Sequence, residues 1–172
     1  MTLNLKSETV SEYKNPSFIG KRQQHINSSA ETELSFDPAN SNEKAGLVIL
    51  QNESHFYFLA RSKKEGNNVI ELFKSNEKST QLLAEKIISN NSKKIGLKIA
   101  SEGDTYSFYF SEDLNNWKLL KDKVDGKFLS TKEAGGFIGC LYGMYATSNG
   151  EKSTNSASFK YLKYSGNDAI YK

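Results

Sequence analysis

The chain has 172 residues, enough for one domain with a proper core; 25% of them are charged, but 37% are hydrophobic and 12% aromatic, which argues against a disordered, solvating segment. Its formal charge of +3 is the small difference between 23 basic and 20 acidic side chains spread along the sequence, without the dense basic stripe that phosphate neutralisation needs, so no nucleic-acid partner is expected. No apolar run approaches the roughly 20 residues of a bilayer-spanning helix and residues 1–10 carry no cleavable signal pattern, so no membrane partner is expected and the compartment stays open.

In chain order, a short first strand is expected at 3–6, followed by a connection over 8–15. Ala30, Thr32, Leu34 and Phe36 alternate with Glu31, Glu33 and Ser35, the period of two that marks a half-buried strand. Further strands are expected at 45–51, 54–62 and 68–74. Residues 79–88 contain the good helix formers Leu82, Leu83 and Ala84, yet they stand inside a meander of strands, which favours a strand there too. Ile95, Leu97 and Ile99 alternate with Gly96, Lys98 and Ala100, and Tyr106, Phe108 and Phe110 alternate with Ser107, Tyr109 and Ser111. The last expected strands are 116–121, 137–146 and 157–164, and the apolar stretch at 137–146 holds the lone Cys140, which reads as a small packed hydrophobe. Turn clusters such as Asp37-Pro38-Ala39-Asn40, Glu65-Gly66-Asn67-Asn68 and Ser148-Asn149-Gly150 separate these segments. Ten or more short strands with close turns predict an all-β fold, a two-sheet antiparallel β-sandwich forming a single domain over residues 1–165, with a tail at 166–172.

Four stretches add a resemblance. They are Asn15-Pro16-Ser17-Phe18-Ile19-Gly20-Lys21-Arg22-Gln23-Gln24-His25 with the alternating run at 30–36, Ala45-Gly46-Leu47-Val48-Ile49-Leu50-Gln51-Asn52, Tyr106-Ser107-Phe108-Tyr109-Phe110-Ser111 with Trp117, and Gly135-Gly136-Phe137-Ile138-Gly139. In this order they resemble the C-terminal domain of glycoside hydrolase family 43 enzymes of the β-xylosidase and α-L-arabinofuranosidase type, over roughly residues 3–165. The resemblance implies a concanavalin A-like jelly roll that is itself non-catalytic. It would pack on a catalytic β-propeller domain of the same protein and help shape the pocket for a hemicellulose oligosaccharide. It also implies that an aromatic from a loop of the sandwich helps close that pocket; the residue matching by motif is Phe137, behind the paired glycines Gly135 and Gly136, and packing of Phe137 in the core is the competing reading. The polar run Arg22, Gln23, Gln24 and His25 is either a buried network tying a sheet to a neighbouring loop or part of the interface with the propeller.

The residues themselves offer little catalytic machinery. Glycoside hydrolysis needs two carboxyl groups, about 6.5–9.5 Å apart in inverting enzymes. The nearest pattern, Glu102-Gly103-Asp104-Thr105-Tyr106-Ser107, lacks the final acid of a Glu-x-Asp-x-x-Glu strand, and Gly103 reads as a turn. His25 and His55 have no nucleophile motif beside them, and two distant histidines with one cysteine lack zinc-ligand spacing. No cofactor is therefore expected, although Asp113, Asn115 and Asn116 form an oxygen-rich loop that either makes a turn or holds calcium. Stacking on sugar could use Tyr57, Tyr109, Tyr142, Tyr145 or Trp117. The alternative to an accessory domain is a free-standing carbohydrate-binding module for hemicellulose; a third reading is a sandwich hydrolase with an unrecognised site.

Overall fold

The computed structural model describes residues 1–76, 79–89, 93–136 and 139–167. The period-two segments pair into two antiparallel sheets. The first has the order β1 (Thr2–Asn4), β12 (Ser156–Phe159), β3 (Ser28–Ser35), β8 (Lys94–Glu102), β9 (Thr105–Ser111) and β10 (Lys118–Asp125), with β13 (Lys163–Gly166) also paired to β3. The second has the order β2 (Ser17–Arg22), β11 (Leu141–Thr147), β4 (Lys44–Asn52), β5 (His55–Lys64), β6 (Asn67–Asn76) and β7 (Ser79–Ile87).

Register decides which side chains meet. Pairing of Ala30 with Ile99, Thr32 with Leu97 and Leu34 with Ile95 turns these rows between the sheets, and β9 continues them with Phe108 and Phe110. Ala45, Leu47 and Ile49 of β4, Leu59 of β5, Leu72 of β6 and Met144 of β11 face them, all buried in one cluster. Each such large side chain removed from water contributes about 1.5–3 kcal/mol, so this interlayer dominates the stability. Thr32 is the polar intruder, and its hydroxyl donates to the carbonyl of Tyr161.

The six-stranded sheet is also covered on its outer face. Val48, Phe56, Phe58, Ala60 and Tyr145 form a second cluster there, and Val10 from the strap between β1 and β2 packs onto it. The backbone N–H of Val10 donates to the Tyr145 hydroxyl at 3.2 Å, and burial pushes that phenol up to about 12. Strands buried on both faces need apolar residues at consecutive positions, which is why 47–50 and 56–60 read as unbroken apolar runs. At the rim, Glu43 accepts from the Ala39 N–H at 2.8 Å, the Ser153 hydroxyl at 2.7 Å and the Asn155 amide at 2.8 Å. Burial opposes its charge, but these three donors outweigh that and hold the carboxyl below the usual range, tying the β3–β4 loop to the segment before β12.

The structure moves several expected boundaries. The first strand lies at Thr2–Asn4, β2 ends at Arg22 so that Gln23, Gln24 and His25 are loop, and the expected last strand splits into β12 and β13. Residues 79–87 are indeed a strand, paired along β6 with a register shift between Leu72 and Phe73. Two short helical turns, a 3-10 turn at Lys127–Leu129 and α1 at Thr131–Ala134, were not foreseen. Asn167 still donates its N–H to the carbonyl of Asn27, just past β13.

Gly46 gives the tightest test of the packing. A Cβ there would collide with the backbone carbonyl oxygen of Leu59 in the adjoining strand, which cannot rotate away. Gly46→Ala is expected to cost about 1–3 kcal/mol or more, at about 2–4 °C of Tm per kcal/mol for a chain of this size. Gly139→Ala, where a Cβ meets nothing within 4 Å, should leave Tm unchanged. Thermal unfolding followed by circular dichroism checks the pair, and equal Tm values for both variants would contradict the packing described.

Candidate functional site

Two segments singled out in the sequence, over 100 residues apart, meet at one end of the six-stranded sheet. Strand β11 lies between β2 and β4, with Leu141 opposite both Arg22 and Leu50. Just beyond this pairing the Gln23 N–H donates to the Cys140 carbonyl at 2.8 Å, and Arg22 Nη1 reaches the Gly139 carbonyl at 3.5 Å. On the other flank, Asn52 Nδ2 donates to the Ala134 carbonyl at 2.9 Å and Gln51 Nε2 to the Gly135 carbonyl at 3.4 Å. The Gly135 and Gly136 loop is thus fixed to the end of central strand β4 and stands beside the 22–25 segment.

Gly135 ends α1 with φ 72° and ψ −173°, and Gly136 has φ 78°. A Cβ at either position would meet nothing within 4 Å, so torsion rather than space demands glycine here. The approach to the loop is pinned by Phe128. Its ring packs 4.8 Å from His55 and 5.5 Å from Tyr57, and Lys74 Nζ lies 3.9 Å from its centroid. Phe128 and Lys74 had not been singled out; an apolar Phe-Leu pair in the polar run Gly126-Lys127-Phe128-Leu129-Ser130 is the signal that marks such an anchor. His55 is structural in this setting, with Nδ1 3.0 Å from Asn52 Oδ1. Phe137 lies outside the described residues.

The four polar residues at 22–25 divide their work. Gln23 accepts from the Tyr106 hydroxyl at 2.9 Å and donates to the His25 carbonyl at 2.9 Å and to Ser101 Oγ at 3.3 Å. His25 Nδ1 lies 2.8 Å from the Tyr164 hydroxyl, to which the Gln24 N–H also donates at 3.0 Å. Ser28, Ser101 and Tyr142 extend the network between the sheets. Burial raises the Tyr106 and Tyr142 phenols well above their usual range, so both remain neutral donors and acceptors. Gln23 and His25 are therefore knitted inward, whereas Arg22 and Gln24 are exposed at the same end. Cys140 sits beneath them, 3.6 Å from Gln51 Oε1 and from the Leu129 carbonyl, and burial raises its thiol, which leaves it unreactive.

The acids of the Glu102-Gly103-Asp104 pattern lie at the β8–β9 turn. Glu102 and Asp104 are exposed around Gly103, which has φ 59°, and Asp104 pairs with Lys127 at 3.3 Å. Among the described residues no group of three or more His, Cys, Asp and Glu could hold a metal ion. Of the candidate stacking rings, Tyr57, Tyr142 and Tyr145 are buried; Tyr109 and Trp117 are half-buried on the outer face of the first sheet, 5.9 and 5.6 Å from Lys98 Nζ.

The family described as the β-xylosidase C-terminal concanavalin A-like domain matches residues 1–165. The chain belongs to this family. It is 36% identical over 167 residues to a xylosidase/arabinosidase of Butyrivibrio fibrisolvens, covering 94% of this chain and 31% of that protein. It is 29% identical over 171 residues to a non-reducing end α-L-arabinofuranosidase of Bacteroides ovatus, covering 95% and 31%. The solved structure described as Bacteroides ovatus Xyloglucan PUL GH43B superposes with a TM-score of 0.89 at 27% identity, covering 96% of this chain and 32% of that one. A xylan β-1,4-xylosidase from Bacillus halodurans shares the fold, with a TM-score of 0.85 at 20% identity. The concanavalin A-like domain thus spans about a third of the relatives it matches.

Within the domain, the Asp113 carboxylate is occupied by its own turn. It accepts from the Asn116 N–H at 2.7 Å and side chain at 2.6 Å, the Asn115 N–H at 3.0 Å and the Ser111 hydroxyl at 3.0 Å. These bonds, the Asn116 N–H first, hold it far below the ordinary aspartate range. A depressed folded-state pKa adds stability that is complete above the unfolded value of about 3.9 and is lost as pH falls below it. Asp113→Asn should therefore reduce the stability lost between about pH 5 and pH 2. Urea unfolding at both pH values measures this, and an identical loss in the two proteins would contradict it.

Proposed function

We propose that this sandwich is the non-catalytic accessory domain of a family 43 glycoside hydrolase of the β-xylosidase and α-L-arabinofuranosidase type. It packs on a catalytic β-propeller of the same protein through the end that carries Arg22 and Gln24, and its Gly135 and Gly136 loop helps shape the xylo-oligosaccharide pocket. The reading rests chiefly on the meeting of these two segments at one end of the six-stranded sheet. The share of the matched relatives that the chain spans also supports it.

The physical contribution is preorganisation. A loop hydrogen-bonded to Gln51 and Asn52 and pinned through Phe128 presents its tip from a fixed origin, so ordering it costs little when a partner surface arrives. Phe137, which follows Gly136 in the chain, is the aromatic assigned to the pocket. Arg22, whose Nη1 reaches the Gly139 carbonyl, is exposed as a planar donor for carboxylate or carbonyl groups, and Ile26, 52% exposed, adds apolar contact. Inward-tied Gln23 and His25 brace this surface from behind. The bonds that Asp113 accepts from its own turn favour the turn-making reading of that loop over calcium binding.

The chain alone is expected to leave aryl β-xylosides and α-L-arabinofuranosides untouched. In the full-length enzyme, Phe137→Ala should lower kcat/KM by roughly tenfold or more with Tm unchanged, and Gly135→Ala should lower kcat/KM as well while straining the loop at a cost of about 1–3 kcal/mol. Turnover by the isolated chain that vanishes when one of its own carboxylates is neutralised would overturn the reading. Unchanged kinetics in both variants would remove the loop from the pocket.

A further inference from the structure

A half-open pocket of about 110 Å³ lies on the outer face of the six-stranded sheet, beneath the strap between β1 and β2. It leans toward the Lys44 and Thr147 ends of β4 and β11, whereas the Gly135 loop stands at their opposite ends. Phe56, Phe58, Phe73 and Tyr145 line its apolar side. Ser11, Thr80 and Asn149 line its rim, and their side chains make no hydrogen bond among the described residues. Among the described residues the one cation lining it is already neutralised: Lys44 Nζ donates to the Ser41 carbonyl at 2.6 Å, to Ser62 Oγ at 3.0 Å and to Glu71 Oε2 at 3.3 Å.

We propose that this pocket binds one neutral pyranose ring, its C–H face against the phenyl rings and its hydroxyl edge on the rim. Size limits the occupant to a single ring, since a closed apolar cavity of about 150 Å³ accommodates benzene, and this pocket is smaller but open on one side. Charge limits it further. With Lys44 and Glu71 paired to each other, an ionised ligand would enter an aromatic-walled site with no free counter-charge among the described lining residues. A wholly apolar group would desolvate the Thr80 and Ser11 hydroxyls and the Asn149 amide without replacing their hydrogen bonds, whereas a sugar ring has both kinds of surface. The site stands apart from the docking end, and the proposal does not depend on the accessory-domain reading.

The test is a titration of the ¹⁵N-labelled 172-residue chain with methyl β-D-xylopyranoside, with cyclohexanol as an apolar control of similar size. The amides of Val10, Ser11, Thr80 and Asn149 should shift together and saturate with a Kd of about 1–10 mM. Thr80→Trp fills the mouth from an exposed strand position and should weaken binding by about tenfold or more. Asn149→Gly keeps the positive φ of that turn, 49°, while removing the amide, and should weaken binding by about threefold. Dispersed spectra confirm that both variants are folded. Absence of saturable shifts, shifts confined to the Tyr109 and Trp117 surface, cyclohexanol binding as tightly as the sugar, or wild-type affinity in both variants would each overturn the proposal.

Discussion

Strand β11 runs between β2 and β4 with Tyr142, Met144 and Ala146 turned between the sheets, and side chains on a strand alternate. A slip of one residue would bring Gly143 and Tyr145 between the sheets and force Tyr142, Met144 and Ala146 into the outer cluster, so side-chain fit on both covered faces fixes this register. The same register sets Gly139 and Cys140 against Arg22 and Gln23, and thereby places the loop that precedes them. Everything assigned to the docking end follows from this pairing. The floor of the outer pocket follows too, since Tyr145 reaches Phe58, at 4.7 Å between ring centroids, only in this register.

Gln23 sits where the strand has ended but the sandwich has not closed. Its amide, the Tyr106 and Tyr142 phenols, and Ser28 and Ser101 occupy a region that apolar side chains fill elsewhere. A network of this kind is close to neutral for stability when every member is satisfied and costly when one is lost, so it constrains geometry more than it adds free energy. Here it joins β2 to β8, β9 and, through His25 and Tyr164, to β13. An end built this way holds Arg22 and Gln24 outward on a stiff base, which is consistent with the docking role proposed for it.

The sequence made some of this plain and hid the rest for identifiable reasons. Residues 30–36 and 95–99 are covered on one face by the core, so their alternation is clean and their strands were legible. Residues 47–50 and 56–60 are buried on both faces, which erases the period and leaves only apolar runs. Leu82, Leu83 and Ala84 have helical propensity but fall at the register shift of an edge strand, where pairing with β6 outweighs it. The helical turns at 127–134 are too short to carry a period, and the break between β12 and β13 at Lys160-Tyr161-Leu162 contains no glycine or proline to mark it. Gln23 and His25 stood out because polar residues followed an apolar strand, but whether they turned inward depended on Tyr106 and Tyr164, about 80 and 140 residues away. The meeting of Arg22 and Gln23 with Gly139 and Cys140 had no local signal, because sheet pairing alone creates it.

The electrostatics of the acidic side chains bear on where chemistry happens. A glycosidase acid must hold its proton near neutral pH, which requires a carboxyl whose pKa is raised by burial or by a like charge. The carboxyls displaced here, Glu12, Glu33, Glu43 and Asp113, all move down. The cause differs in detail but has one sign: Lys14 beside Glu12, Lys160 and Lys94 around Glu33, three neutral donors on Glu43, and the Asn115 and Asn116 turn on Asp113. Other acids meet lysines across strands, as Glu31 does with Lys163 and Glu71 with Lys44. Among the described residues, acids stabilised in their charged form serve turns, rims and strand pairing, so the charge pattern of this sandwich is explained by its own folding.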